Sequence, residues 1–466
     1  MSKSTSVAAV LVTALLLAPA LSRAGDDIAS LHAAIDALKA EYAARVAALE
    51  QRVAELEAAA SAAAATPAAL APVPEAAAAP AVAGGGASAF NPAISVILGG
   101  TYAHLSQDPA DYRIAGFIPN GGEVGPGERS FSLGESEITL AANVDPYFYA
   151  NITAAVSGDN EIGVEEAYFR TIALPEGFTL KGGRFLSAIG YLNEVHAHAW
   201  DFVDQPLVYQ ALFGAQLRQD GVQLKWIAPT DTFIEFGDEA GNGDAFPATR
   251  RGGNGPDSVA AFAHLGGDIG DSTSWRAGMS WLDARARDRG YEDTSTAGAP
   301  VANAFTGTSR TWIADATLKW APHGDATRTQ LKLQGEFMRR TESGQLLYDA
   351  DGAALGGDYR SAQSGWYLQG VYQFRPRWRV GARLDALDSG APRIGLVQSG
   401  QLPASAFPAL RTATPQRASL MLDWSPSEFS RLRAQYVLDE ARLTGRDRQL
   451  FLQYLYGIGA HGAHKF

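Results

Sequence analysis

The chain has 466 residues, with 38 Lys and Arg against 50 Asp and Glu, a formal net charge of −12 and no cysteine. That charge argues against nucleic acid as a partner, because neutralising phosphates takes concentrated Lys and Arg. The lack of cysteine excludes disulfides and thiolate metal sites, and beyond residue 24 no run of 18 or more apolar residues offers a helical membrane span.

Residues 1–24 place Lys3 ahead of an apolar stretch from Val7 to Leu17, then Pro19 and a small-x-small exit at Ser22 and Ala24. This is the pattern of a secretory signal peptide cleaved after Ala24. Over 25–57 the apolar positions Ile28, Leu31, Ile35, Leu38, Tyr42, Val46, Leu49, Val53 and Leu56 alternate by three and four, with one stutter between Tyr42 and Val46. The seam predicts a short N-terminal α-helical coiled coil, and its Ile and Leu do not themselves specify a trimer. Residues 58–89 are almost entirely Ala, Pro and Gly, including Pro67, Pro72, Pro74, Pro80 and Gly84 to Gly86. Such a composition cannot bury a core and reads as a semi-extended linker.

From Phe90 to Phe466 the period becomes 2. In Trp378 to Asp385 the even positions are apolar and the odd ones polar or Gly; Arg431, Arg433 and Gln435 alternate with Leu432, Ala434 and Tyr436. Each such segment is a strand with one apolar and one polar face. Short connections, such as Asp145-Pro146, Ala228 to Asp231 and Arg375 to Arg377, alternate with long polar ones at about 105–129, 188–220, 240–256, 284–308, 341–361 and 388–412, beside two short ones near 158–160 and 440–446. Short turns on one side and long loops on the other are the rhythm of an all-β transmembrane barrel, here with about 16 antiparallel strands. The even count puts both ends on the periplasmic side, together with the coiled coil. Trp226, Trp320, Phe374 and Trp424 stand shortly before Pro229, Pro322, Pro376 and Pro426, where an aromatic girdle belongs. The closing Phe466 shares the apolar parity of Leu450, Leu452, Tyr454, Tyr456 and Ile458.

This succession of signal, coiled coil, Ala/Pro spacer and 16-stranded barrel ending in Phe resembles the phosphate-selective porin O and P group, a resemblance that implies a homotrimer. The segments Phe90 to Ser95, Asn143 to Tyr149, Gly183 to Leu186, His196 to Pro206 and Gly459 to Phe466 are similar to a porin-like proteobacterial family sometimes labelled zinc-regulated outer-membrane receptors. The TonB dependence in that label does not fit, since no plug domain of about 130 residues precedes the barrel and 22 strands exceed roughly 376 residues.

By parity Lys225, Lys319, Arg328, Lys332, Arg379, Arg383, Arg431 and Arg433 point inward, with Glu135, Glu137, Asp315, Glu336 and Asp385. Such an arginine ladder either concentrates anions or pairs with acids across strands. The connection 188–220 carries Glu194, His196, His198, Asp201 and Asp204 amid Trp200, Phe202, Leu207, Tyr209 and Phe213. So apolar a loop is expected to fold into the barrel and constrict it. His196 and His198 beside carboxylates are candidate zinc ligands. His461 and His464 fall on opposite faces of a strand, and His104 and His264 read as rim residues. No Gly-x-Ser-x-Gly, Gly-x-x-x-x-Gly-Lys or His-Glu-x-x-His motif is present, so no enzyme is expected.

The expected function is passive diffusion of small hydrophilic solutes, with a preference for anions, through the outer membrane of a Gram-negative bacterium. Outer-membrane lipid and lipopolysaccharide surround the barrel, a small anionic solute is its cargo, and no cofactor is needed. The second expectation is metal-responsive uptake, with zinc bound at the inward loop 188–220.

Overall fold

The computed structural model describes residues 51, 92–119, 124–134, 136–156, 161–249 and 252–459, and the chain divides into units Met1–Gly84 and Gly85–Phe466. The signal peptide, the linker and, apart from residue 51, the coiled coil lie outside the described residues, as do Glu135, His461, His464 and Phe466.

The second unit is one antiparallel sheet of 18 strand segments. Two of these, Ser130–Leu133 and Ser136–Asn143, are halves of one strand along the same neighbour, and one, Arg393–Ile394, is a two-residue piece within a loop. Sixteen crossing strands result. In chain order they are β1 (Ala93–Leu105), β2 (the two halves just named), β3 (Phe148–Val156), β4 (Ile162–Thr171), β5 (Phe178–Leu186), β6 (Arg218–Ile227), β7 (Phe233–Gly241) and β8 (Ser258–Ile269). Then follow β9 (Thr273–Thr294), β10 (Pro300–Trp320), β11 (Gln330–Tyr348), β12 (Leu355–Arg375), β13 (Trp378–Asp388), β14 (Gln416–Ser427), β15 (Ser430–Asp439) and β16 (Asp447–Gly459). β1 pairs with β16 from Ser95↔Gly459 to Leu105↔Gln449, which closes the sheet and leaves no free edge.

The alternation resolves as predicted into an apolar outside. Leu98, Leu140, Leu224, Leu265, Leu333, Leu368, Leu384, Leu420 and Leu452 all stand exposed on the outer wall. So much exposed apolar surface on a fully hydrogen-bonded, closed sheet fits a bilayer and not water. At the short-turn edge Trp320, Phe374 and Trp424 are exposed, Trp226 stacks on Phe236, and Trp378 stacks on Trp424.

Two expectations are corrected here. β9 to β12 run for 22, 21, 19 and 21 residues, about twice the span a bilayer needs, so most of the loops expected at 284–308 and 341–361 are strand. Their upper halves pack inward on the connection 389–415, where Phe305, Leu346 and Tyr359 meet Ile394, Leu396, Phe407 and Leu410. Strand pairing continues there because a loop, not lipid, covers the apolar side chains. The second correction concerns the inward face of the wall, expected from its alternation to be polar. Leu282, Ile313, Met338 and Leu387 face inward and pack on Ile189, Leu192, Trp200 and the short helix α1 (Leu207–Phe213).

Leu384 lies mid-way along β13 and faces out. Leu384→Arg is expected to lower barrel stability by about 2–4 kcal/mol if that position sits near the bilayer midplane, measured by denaturant unfolding in lipid vesicles.

Candidate functional site

The connection 187–217 leaves β5, enters the barrel and returns to β6. Its backbone is largely irregular, and burying such a segment requires a partner for each N–H and C=O. Inward side chains of the wall provide them. Glu239 of β7 accepts from Ala188 N at 2.8 Å, Ser280 of β9 from Gly190 N at 3.1 Å, Glu336 of β11 from Leu192 N at 3.0 Å, and Asp385 of β13 from Leu207 N at 2.8 Å. In the other sense Arg340 donates to Leu212 O, Arg383 to Asp204 O, Arg417 to Gln205 O, Arg431 to His198 O and Arg433 to Trp200 O. Only the interior of a closed barrel allows one segment to reach from β4 round to β15.

Glycine allows the closest approach. Gly190 has φ +65, and a Cβ there would stand 2.3 Å from Glu336 Oε2. Gly214 closes α1 in the left-handed region at φ 72, with its N–H donating to Gln210 O.

The loop carboxylates dock on basic side chains. Asp201 accepts from Lys332 Nζ at 3.0 Å and from Arg379 at 3.0 Å, and Asp204 pairs with Arg383 at 3.0 Å and Arg417 at 2.8 Å. The wall adds acids of its own: Asp385 against Arg383, and Asp423 against Arg433 and Arg379. Burial alone would raise the Asp201 and Asp204 carboxyls, but Lys332 and Arg379 hold the first, and Arg383 and Arg417 the second, below the ordinary aspartate value.

On the opposite flank of the loop, His196 lies among carboxylates. Its Nδ1 is 3.0 Å from Glu165 and 3.4 Å from Glu137, and its Nε2 is 3.1 Å from Glu166. His198 Nδ1 is 2.7 Å from Glu137, and Glu194 pairs with Lys181 of β5 at 3.7 Å. Burial disfavours a charged imidazole at His196, yet the hydrogen bonds to Glu137, Glu165 and Glu166 raise its pKa well above the ordinary value.

Of the residues expected on the inner wall, Lys225, Lys319, Lys332, Arg379, Arg383, Arg431 and Arg433 lie on strands, and Lys332, Arg379, Arg383, Arg431 and Arg433 reach the loop directly. Lys225 pairs with Glu235. Arg328 is a correction: it lies exposed in the turn before β11, which starts only at Gln330. His264 is another, since it is fully buried within β8 with Nδ1 3.0 Å from Glu235, and does not line a rim. His196 and His198 each reach Glu137, and it is His196 whose ring nitrogen groups with oxygens of Glu137 and Glu165. Sequence reasoning missed Glu165, Glu166, Glu239 and Arg417. Parity places Arg417 inward, but no sequence signal shows that Asp204 meets it.

No family model matches the chain. A protein of Aquifex aeolicus described as an uncharacterized protein is 30% identical over 362 residues, covering 73% of this chain and 71% of that protein. The chain belongs to the family of that protein. Solved structures with a similar course include a loop L8 deletion mutant of OmpT, an outer membrane protein of Vibrio cholerae (TM-score 0.48, 11% identity, 79% of this chain and 99% of that one). Others are the outer membrane channel DcaP of Acinetobacter baumannii (0.46, 13%, 78% and 96%) and an anion-selective porin from Comamonas acidovorans (0.45, 11%, 79% and 99%).

Removing Asp204 leaves Arg383 and Arg417 buried with one carboxylate fewer. Asp204→Ala is therefore expected to weaken loop docking by about 3–5 kcal/mol, read as new protease cleavage within 187–217 while the barrel stays resistant. Because the folded Asp201 and Asp204 pKa values are depressed, the stability they contribute is complete above the ordinary value of 3.8 and is lost as pH falls below it. The same cleavage assay should show a docked loop at pH 5 to 7 and a released one only in stronger acid.

Proposed function

We propose that the chain is an outer-membrane channel for passive diffusion of small hydrophilic solutes, with the loop 187–217 as its constriction and a preference for anions. The observation that carries this reading is the charge beneath the loop. Within a few residues of the short turns, Arg170, Lys225, Arg276, Lys319, Lys332, Arg379 and Arg431 are part-exposed. The acids paired with them, Glu235, Asp201 and Asp423, are buried, while Asp268 on the inner face of β8 and Glu176, Asp231, Asp271, Asp325 and Glu428 in the turns are exposed. Inside the mouth, basic side chains whose partner carboxylates are buried raise the local concentration of anions ahead of the narrow zone.

The deeper arginines play a different part. Arg383, Arg417 and Arg433 are buried in ion pairs and loop contacts, so they position the constriction and do not pass solute along a ladder. Phosphate selectivity in particular has no support from free arginines at the narrow zone. Assembly as a homotrimer among lipid and lipopolysaccharide belongs to the same reading.

Reconstitution of the full protein in planar bilayers under a salt gradient tests it. Discrete conductance steps with a reversal potential on the anion side are expected, and Arg276→Glu combined with Lys319→Glu should move that potential towards cations. Deleting residues 191–213 should raise conductance several-fold. Absence of conductance from both wild type and deletion would overturn the reading.

A further inference from the structure

One strand irregularity re-aims two side chains. β3 and β4 pair Thr153↔Glu166 and then Ala154↔Val164, so Glu165 is an extra residue with no partner across the ladder. In a regular strand Glu165 and Glu166 would face opposite sides. The bulge lets both reach His196.

The atoms that meet there are ligand atoms. His196 Nδ1, a Glu165 oxygen and a Glu137 oxygen all lie within 4.8 Å of one another. The imidazole nitrogen is 3.0 Å from Glu165 Oε2 and 3.4 Å from Glu137 Oε2. Adjacent vertices of a tetrahedron around zinc, with bonds of about 2.0–2.1 Å, stand about 3.3 Å apart. Both separations from the imidazole nitrogen are therefore close to what a bound ion needs.

The surroundings orient each donor. Glu166 lies 3.1 Å from the other ring nitrogen, Nε2, and its second oxygen accepts from Leu186 N at 3.1 Å. A carboxylate on the far nitrogen holds the Nε2–H and the ring orientation, so that a bound cation takes the place of the proton on Nδ1. His198 Nδ1 holds the remaining oxygen of Glu137 at 2.7 Å. The His196 and Glu165 side chains are 22% and 12% exposed, which leaves a fourth vertex open to water and a path for exchange.

We propose that Glu137, Glu165 and His196 bind one first-row divalent cation, with Zn2+ the best fit, and that the ion staples the loop 187–217 to β2 and β4. One nitrogen and two carboxylate oxygens suit zinc-like ions, whereas Ca2+ seeks six to eight oxygens. Three carboxylates around one imidazole also supply the negative charge a dication neutralises. The site is independent of whether the barrel conducts.

The test uses the full chain in detergent, stripped with chelator and titrated with Zn2+ alone by calorimetry, with metal retained after dialysis counted by elemental analysis. One ion per chain is expected, with Ca2+ at least 100-fold weaker. Glu165→Gln and His196→Ala should each weaken Zn2+ at least 100-fold, and Glu166→Gln about 10- to 100-fold through orientation of the imidazole. His323→Gln, in an exposed turn, should leave binding unchanged. Folding of each variant is checked by the mobility difference between boiled and unboiled protein. Folded Glu165→Gln and His196→Ala proteins that bind Zn2+ like wild type would overturn the site, as would a wild type that retains none. Should those variants not fold, Co2+ added to the wild type decides: the intense visible bands of a tetrahedral ion support the site, and the pale six-coordinate spectrum overturns it.

Discussion

An irregular segment can lie inside a membrane barrel only if its backbone polar groups find partners there, and this requirement organises most of the inner wall. Each unpaired N–H or C=O in a dry interior costs several kcal/mol. The loop 187–217 meets that condition through side chains: carboxylates of β7, β11 and β13 take its N–H groups, and arginines of β11 and β13 to β15 give to its carbonyls. Arginine suits this task because its planar fork can bond a carbonyl and a carboxylate together. Arg433 does so, reaching Trp200 O and Asp423 at once.

The apolar part of the loop completes its docking. α1 is only seven residues long and every one is buried, too short to be stable as an isolated helix. It forms because Leu282, Ile313, Met338 and Leu387 present an apolar surface at the same height of the wall. Tyr209 links the two kinds of contact, since its ring lies in this cluster and its hydroxyl donates to Glu336 at 2.9 Å. Hydrophobic burial and backbone satisfaction thus act on the same residues, and loss of either releases the loop.

Much of this architecture is legible in the sequence, and the limits have physical causes. Strand number and turn positions follow from period 2, because one face must meet lipid and the other must not. The added height of β9 to β12 does not follow, since above the bilayer the covering partner is a distant loop rather than lipid. An inward course for residues 188–220 follows from Trp200, Phe202, Tyr209 and Phe213, which have no place in water. The partners of that loop do not follow, because parity gives a side chain a direction but no neighbour. The bulge at Glu165 defeats parity itself, hiding the convergence of Glu165 and Glu166 on His196.

Overall charge misleads for a related reason. The net −12 sums over the whole chain, including residues 25–57 with seven acidic and three basic side chains. What a solute meets is the local field, and there burial sorts the signs. Asp201 and Asp423 are spent on Lys332, Arg379 and Arg433 and are hidden, while the outer parts of Lys332 and Arg379 stay accessible, at 21% and 25%. A carboxylate placed behind its basic partner screens it from the wall and leaves its other face to the solvent. An acidic protein can therefore present a basic entrance, provided that its acids are the better buried half of each pair.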